Sequence, residues 1–237
     1  CPGPIGDALA GHGTSLVKRS DGKWQLFVVN HGGRESVEMF ELKNAANGWA
    51  AFWHGCVVSP KDFNDVAALA DGSFVATHPT ALEPPAQPGA PPRNLFDGHA
   101  SGYVVRWQPG KGETELAGTR FGYPNGLVAT PDGRTVYYAA WTGKEIHKYD
   151  VRAGKDVAVT KLGFMPDNIT WTQKGQLIAA GVKGTRGNCP AEGKTPCIQA
   201  FGVAQIDPGS MKVGQTFDSG ERALISGVSV AIQAGPA

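Results

Sequence analysis

A three-strand unit with a polar residue at its head constrains the fold of this chain more than any other feature. The clearest copy, residues 125–149, contains a short strand, a Pro-Asp-Gly turn, a second strand, a Thr-Gly-Lys turn and a third strand. Apolar and polar residues alternate along each run, which is typical of half-buried strands bounded by turn residues. We therefore predict an antiparallel β-meander with the side chain of Asn125 at the open end of its first strand.

The same unit recurs along the chain. Its polar heads are His12, Asn64, Asn125, Asn168 and Ser226, so successive copies are 52, 61, 43 and 58 residues apart. Repeats of about 40 to 60 residues with several strands each are typical of a β-propeller, in which each repeat forms one blade. A β-sandwich also contains many short strands, but it gives no reason for polar heads on successive meanders. In a propeller the heads converge on one end of the central channel, so we predict an all-β propeller.

We expect one domain, residues 1–237, that does not close a ring by itself. Four near-complete units are followed by a single opening strand, residues 226–232. We therefore expect a further blade before the first residue and further strands after the last. The second unit also carries a Pro-rich insertion, residues 78–99, between its second and third strands. Proline-rich segments do not hold regular strands, so this insertion is predicted to be a surface loop, with a lid over the channel as the alternative.

Composition excludes several classes of partner. The 22 Lys and Arg residues nearly balance the 21 Asp and Glu residues, giving a formal net charge of +1, and no basic cluster with interleaved aromatic residues occurs. Nucleic acid and anionic membranes are therefore poor partners. No apolar run approaches the roughly 18 residues that cross a bilayer, and Cys-Pro-Gly-Pro at the start is not a signal peptide. We expect a small-molecule partner, and the sequence does not indicate an oligomeric state.

The four cysteines form no C-x-x-C pair, which disfavours a structural zinc site. Cys189 and Cys197 bracket a turn-rich loop and are predicted to form a disulfide, and Cys1 and Cys56 form the second predicted pair; free thiols are the alternative. A disulfide indicates an oxidising compartment, so we expect a secreted or periplasmic protein. The less favoured alternative for Cys1 is the lipid-carrying residue of a mature lipoprotein.

The strand heads also predict a metal site. Carboxylate and amide oxygens are the ligands that Ca²⁺ takes, whereas zinc and copper favour nitrogen and sulfur. A single Asn at a strand head is more often a turn residue that bonds neighbouring backbone. Several in register favour a central Ca²⁺, and the predicted ligands are Asn64, Asn125, Asp167 and Asn168.

His12 and His31 are the candidate catalytic residues. His12 heads the first unit and His31 ends the second strand of the same unit, so both are expected near the channel mouth, where one could act as a base on water while the other orients it. Local packing is the equal alternative for this pair. For His54, His78, His99 and His147 we predict packing roles. The Gly-x-Ser-x-Gly motif of serine hydrolases is absent.

The motifs at these heads resemble a known family. The matching segments are His12-Gly-Thr-Ser, Val28-Val-Asn-His31 with Ser36-Val-Glu-Met-Phe40, Phe63-Asn-Asp-Val-Ala67, Asn125-Gly-Leu-Val-Ala-Thr-Pro-Asp-Gly133 with Glu145-Ile-His-Lys-Tyr149, and Pro166-Asp-Asn-Ile169. They are similar, in this order and over nearly the whole chain, to the paraoxonase/arylesterase family and to its relatives in the senescence-marker-protein/gluconolactonase superfamily. The Asn and Asp-Asn motifs point to the superfamily, and the two His motifs point to the paraoxonase branch.

The resemblance implies a six-bladed propeller of four-stranded blades with a catalytic Ca²⁺ that hydrolyses lactones or aryl esters. It also implies that the four predicted ligands hold the metal, and that His12 and His31 activate water. The metal would polarise the carbonyl, so no protein nucleophile is needed. One family ligand, a glutamate of the first blade, has no counterpart before His12, and Ala140 stands where the family often has an acidic residue.

Two alternatives remain open at this stage. One is a non-catalytic propeller that uses calcium structurally and binds a partner. The other is different chemistry on the same scaffold, such as a condensation like that of strictosidine synthase, because a fold does not fix a function.

Overall fold

The computed structural model describes residues 1–84, 94–184, 199–220, 225 and 227–235. Within these ranges the regular structure consists of sixteen β-strands and one short 3₁₀ helix, Gly6–Ala8. The strands form four sheets of four strands each, and every sheet is antiparallel with its strands in chain order. The prediction of an all-β propeller with four-stranded blades is confirmed by these four blades.

The first blade contains β1 (Gly11–Lys18), β2 (Trp24–Asn30), β3 (Ser36–Ala45) and β4 (Gly48–Val58), and the second contains β5 (Val66–Ala68), β6 (Phe74–His78), β7 (Tyr103–Gln108) and β8 (Gly112–Glu115). The third contains β9 (Pro124–Ala129), β10 (Thr135–Ala140), β11 (Glu145–Asp150) and β12 (Lys155–Lys161), and the fourth contains β13 (Met165–Trp171), β14 (Leu177–Val182), β15 (Phe201–Ile206) and β16 (Val213–Asp218).

A glycine closes the first hairpin of every blade. Gly22, Gly72, Gly133 and Gly175 lie between the first and second strands, and their φ angles are 83°, 83°, 65° and 73°. A positive φ is costly for residues with a Cβ atom and free for glycine. The repeated Asp-Gly or Lys-Gly dipeptides in the sequence are therefore the turns that start each blade.

The first strand of each blade is the innermost. β1 contacts β5, β5 contacts β9, and β9 contacts β13, so these four strands line the axis of the propeller. By contrast, every residue of β16 is exposed, as expected for an outer strand. The chain after the fourth blade returns to the axis, where the carbonyl oxygen of Ala231 accepts a hydrogen bond of 2.7 Å from Oγ1 of Thr170 in β13. This segment lies where the opening strand of a fifth copy was predicted; its head, Ser226, lies outside the described residues.

The core consists of layers between neighbouring blades. In β10, Tyr137 and Ala139 pack against the fourth blade, whereas Val136 and Tyr138 pack toward the second blade. Successive side chains of a strand point to opposite faces, and both faces of this strand are covered. The simple alternation of apolar and polar residues that the sequence suggested is therefore replaced by continuous burial in the middle strands.

The structure also locates the remaining sequence features. Cys1 and Cys56 form a disulfide with their Cα atoms 5.6 Å apart, a separation typical of such bonds. The predicted pair Cys189–Cys197 lies outside the described residues. The Pro-rich insertion does separate β6 from β7, and its residues 85–93 also lie outside. Among the described residues, no helix is long and apolar enough to cross a membrane.

Of the four histidines predicted to pack, His78 and His147 are buried. His54 is exposed on the outer strand β4, so the packing prediction was wrong for that residue. His99 is 37% exposed and lies between the carboxylates of Asp97 and Glu83.

Candidate active and metal site

The innermost strands depart from regular pairing at their polar heads. The register slips by one residue in β1 between Gly11 and Thr14, in β9 near Asn125, and in β13 near Asp167. A β-bulge places two residues opposite one and re-aims the side chain of the extra residue. The head pairs on these bulges are His12-Gly13, Asn125-Gly126 and Asp167-Asn168.

The second blade has the same local arrangement just before β5. The backbone N–H of Asn64 donates to the carbonyl oxygen of Thr77 (3.0 Å), and the N–H of Thr77 donates to the carbonyl oxygen of Asp65 (3.1 Å). Two residues thus oppose Thr77. Its hydroxyl accepts from the N–H of Asp65 (3.1 Å) and donates to the carbonyl oxygen of Asn125 (2.7 Å), which ties the second blade to the third.

The heads of neighbouring blades lie so close together that their main chains are in contact. A Cβ added to Gly13 would lie 2.6 Å from Cα of Asp65, and one added to Gly126 would lie 2.5 Å from Cα of Asn168. Only glycine allows this approach. The second residue of each head pair therefore faces the next blade.

Hydrogen bonds cross from blade to blade at the same level. The N–H of Gly13 donates to the carbonyl oxygen of Asn64 (3.3 Å), and the N–H of Leu127 donates to Oδ2 of Asp65 (2.8 Å). The N–H of Asn168 donates to the carbonyl oxygen of Ser229 (3.0 Å).

The structure brings together three of the four predicted metal ligands. Nδ2 of Asn168 lies 3.1 Å from Oδ1 of Asp167, and the side chain of Asn125 acts on the same carboxylate by lowering its pKa. Asn64 is buried one blade away, where its main chain bonds to Gly13 and Thr77. In the part of the chain that the structure describes, Oδ1 of Asn125 is buried and has no hydrogen-bond partner.

A second carboxylate, which the sequence reasoning missed, lies beside this group. Burial raises the pKa of Asp65 to about 7; N–H donors from Leu127 and Val66 oppose the rise, and the charge of Asp167 adds to it. Burial likewise raises the pKa of Asp167 to about 6, and the hydrogen bond from Asn125 opposes this. Asp65 follows Asn64 directly, and that adjacency was the available signal.

The residues at the heads fit a hard cation. Their side chains offer carboxylate and amide oxygens, the donors that calcium takes. A buried acceptor without a partner is uncommon in folded proteins, and the unpaired Oδ1 of Asn125 is such an acceptor within the group. No cluster of three or more His, Cys, Asp or Glu side chains suited to a metal occurs among the described residues, so a metal at this position would depend on the asparagine oxygens.

The two predicted catalytic histidines are in direct contact. Nδ1 of His12 lies 3.0 Å from Nε2 of His31, and the ring centroids are 5.1 Å apart. Partial burial and then the charge of His31 lower the pKa of His12, whereas the charge of Glu35 acts in the opposite direction. A lowered pKa keeps the ring neutral, which a base requires.

A carboxylate that the sequence reasoning missed completes the chain of contacts. Oε2 of Glu35 lies 2.9 Å from Nδ1 of His31. The turn that returns Glu35 to His31 is organised by buried Asn30, whose Nδ2 donates to the carbonyl oxygens of Gly32 (2.9 Å) and Arg34 (2.8 Å). A carboxylate four residues after His31 was the only signal in the sequence.

An aromatic group adjoins the metal candidates. Tyr123 lies two residues before Asn125 with a φ of 55° and packs on Trp141, with ring centroids 5.4 Å apart; Trp141 in turn packs on Phe96 at 5.3 Å. The pKa of Tyr123 is raised by burial and by the charges of Asp62 and Asp167.

A cavity of about 930 Å³ runs along the innermost strands. Its lining includes His12 from the first blade, Asp65 from the second, and Asp167 and Asn168 from the fourth. His12 and the oxygen-bearing side chains of Asp65, Asp167 and Asn168 therefore border one space.

Comparison with known proteins identifies the family. Residues 9–192 match the model of the SMP-30/gluconolactonase/LRE-like region. The chain belongs to this family. Among curated family relatives, it is 29% identical over 167 residues to human serum paraoxonase/arylesterase 1 and 30% identical over 166 residues to the mouse protein of the same name. Each match covers 67% of this chain but 44% of the relative, so the chain spans less than half the length of these proteins.

A solved structure supports the fold of this family member. The chain of Kuenenia stuttgartiensis hydrazine synthase superimposes with a TM-score of 0.56 at 18% identity, covering 92% of this chain and 52% of the other. At that identity the likeness concerns the fold alone.

Proposed function

We propose that this chain carries the catalytic site of a calcium-dependent hydrolase of lactones or aryl esters. The observation that supports this most directly is that His12 and Asp167 line the same cavity. A base and an oxygen-rich cation site across one space are the two components that metal-assisted hydrolysis requires. The shared family and the names of the paraoxonase/arylesterase relatives point to the same chemistry.

Asn64, Asn125, Asp167 and Asn168 would hold the calcium ion through their side-chain oxygens. When bound, calcium supplies a Lewis acid that polarises the substrate carbonyl and stabilises negative charge on its oxygen. Four residues do not fill the six to eight positions that calcium takes, so other oxygen atoms, including substrate or water, would complete the site.

The histidine pair performs the proton transfer. Nδ1 of His12 is engaged with His31, which leaves Nε2 of His12 to accept a proton from water as the water oxygen bonds to the carbonyl carbon. His31 holds the His12 ring in place during this step. The same proton then passes from His12 to the departing alkoxide or phenoxide oxygen, which balances the hydrolysis.

The aromatic group favours substrates with an apolar or aryl portion. Tyr123 packs on Trp141, and the charge of Asp167 raises the pKa of Tyr123; aromatic rings bind apolar surface and other rings effectively. This supports aryl esters and alkyl-substituted lactones over highly polar sugar lactones.

The test is hydrolysis of a panel of lactones and phenyl acetate by the purified chain, with calcium and with excess chelator. We expect turnover with calcium only, and a loss of at least about 10²-fold in kcat for both His12→Gln and His31→Gln. His54→Gln, on the exposed outer strand, is the matched control and should retain full activity.

Two outcomes would reject the proposal. Calcium binding without turnover on any substrate would favour a propeller that uses its metal structurally and binds a partner. Turnover that persists after both histidines are replaced would favour another chemistry on this scaffold. We also propose a secreted or periplasmic location, which the Cys1–Cys56 disulfide supports.

A further inference from the structure

Glu35 ends a line of three side chains that leads away from the cavity. Its carboxylate contacts Nδ1 of His31 at 2.9 and 3.1 Å, and Nε2 of His31 contacts Nδ1 of His12 at 3.0 Å. We propose that Glu35 is a positioning residue that fixes the tautomers of both histidines and so presents the Nε2 lone pair of His12 as the base. The catalytic part of this inference rests on the proposed function.

The tautomers follow from the donors and acceptors along the line. An ionised carboxylate only accepts hydrogen bonds, so the Nδ1 atom of His31 must carry its proton. Nε2 of neutral His31 is then an acceptor, and it requires a proton on Nδ1 of His12. The Nε2 atom of His12 is left without hydrogen. A proton taken up there makes His12 cationic, and the negative charge of Glu35 favours that cation.

Glu35 is itself held at two points. Its Oε1 accepts a 2.7 Å hydrogen bond from the N–H of Phe63, and its carbonyl oxygen accepts one of 3.1 Å from the N–H of Ser59. Phe63 precedes Asn64, so one carboxylate connects the histidine pair to the head of the second blade.

The neighbouring arginine pairs with another carboxylate and so does not compete with His31 for Glu35. Arg34, the adjacent residue, is committed to buried Glu38, with Nε and Nη2 at 2.8 and 3.0 Å from its two carboxylate oxygens. The Glu35 side chain is 24% exposed and that of His31 is 38% exposed, so substitution here leaves the core unchanged. Glu113, which lies 3.3 Å from Nε2 of His78 and is 27% exposed, offers a matched carboxylate-histidine contact away from the cavity.

The first test needs no variant. Long-range ¹H–¹⁵N spectra of the calcium-loaded chain labelled with ¹⁵N-histidine report which ring nitrogen carries hydrogen. We expect His12 and His31 both as Nδ1–H tautomers at neutral pH. An Nε2–H tautomer for His31 would overturn the proposal whether or not the chain hydrolyses any substrate.

The second test compares Glu35→Gln with Glu113→Gln. A glutamine still accepts from the N–H of Phe63 but can also donate, so the His31 tautomer becomes mixed. We expect kcat to fall about 10²-fold with KM and calcium affinity within twofold of wild type, whereas Glu113→Gln leaves kcat and both histidine spectra unchanged. Unchanged spectra and full kcat in Glu35→Gln would contradict the proposal; an inactive wild type with the expected tautomers would instead reject only the proposed function.

Discussion

The side chain of Asn125 lowers the pKa of the neighbouring Asp167 carboxylate, while the Oδ1 atom of Asn125 is buried and has no partner in the described part of the chain. Leaving a buried acceptor unpaired costs about 1–3 kcal/mol. A cation bound against that oxygen would remove this cost and would also neutralise Asp167. A cation bound at this position would therefore stabilise the folded chain.

Replacing Asn125 tests this relationship. We expect Asn125→Ala to weaken calcium binding at least about tenfold, because one oxygen ligand and the orientation of Asp167 are lost together. Isothermal titration calorimetry of the chelator-treated chain gives the affinity. Asn44→Ala, on an exposed position of β3, is the control, and equal affinities for the two variants would exclude Asn125 as a ligand.

The raised pKa values of the buried carboxylates predict that stability depends on pH in the absence of metal. The pKa of folded Asp65 is about 7, so between pH 4 and pH 7 the folded chain retains a proton that the unfolded chain has lost. The free energy of unfolding must fall as pH rises through this window, by up to about 1.4 kcal/mol per pH unit for one proton.

Urea unfolding of the chelator-treated chain at several pH values measures this dependence. Wild type should lose stability toward pH 7 relative to Asp65→Asn, whose side chain does not titrate. Added calcium should remove the difference, because the metal favours the ionised carboxylates. Parallel curves for the two chains without metal would show that Asp65 does not retain its proton.

Because the strand heads are closely packed, we expect the addition of a single methyl group there to lower stability and calcium affinity. In Gly126→Ala the new Cβ would lie 2.5 Å from Cα of Asn168 and from the carbonyl oxygen of Asp167, so the fourth blade must shift. We expect a loss of about 1–3 kcal/mol in stability and a larger loss in calcium affinity. Gly163→Ala, whose added Cβ meets nothing within 4 Å, should change neither quantity in thermal unfolding and calorimetry.

We expect the Cys1–Cys56 disulfide to contribute measurably to the free energy of unfolding. Cys1 and Cys56 are 55 residues apart in sequence, and closing a loop of that length stabilises a fold by about 4 kcal/mol in the chain-entropy model. Cys56→Ser should therefore lower the urea midpoint clearly, and dithiothreitol should lower the urea midpoint of wild type more than that of the variant. A variant as stable as wild type would show that the bond does not constrain the unfolded chain.

Much of the fold could be predicted because short sequence signals mark each repeat. The Asp-Gly turns require a glycine at a positive φ, and the polar heads recur at blade-sized intervals, so strands, hairpins and blade order follow from the sequence. The outer strands were harder to place: β16 is exposed throughout, so no buried face imposes a pattern on its residues.

The site was only partly predictable. The Asn and His heads could be found because they repeat, and Asp65 could have been found as the neighbour of Asn64. Glu35 could not be assigned a role, since its approach to His31 depends on the turn that buried Asn30 organises through three-dimensional contacts. The periodicity of a sequence predicts which face of a strand a residue occupies. It does not predict which side chains an irregular turn brings into contact.

The hydrogen bonds between strand heads have a further consequence for how this molecule opens. The amide hydrogens of Gly13, Leu127 and Asn168 are each held by an acceptor in the neighbouring blade or segment. No blade can swing away from the axis without breaking at least one of them. In hydrogen–deuterium exchange these three amides should therefore be released together as one cooperative unit, and their common rate would report how tightly the blades are held around the channel.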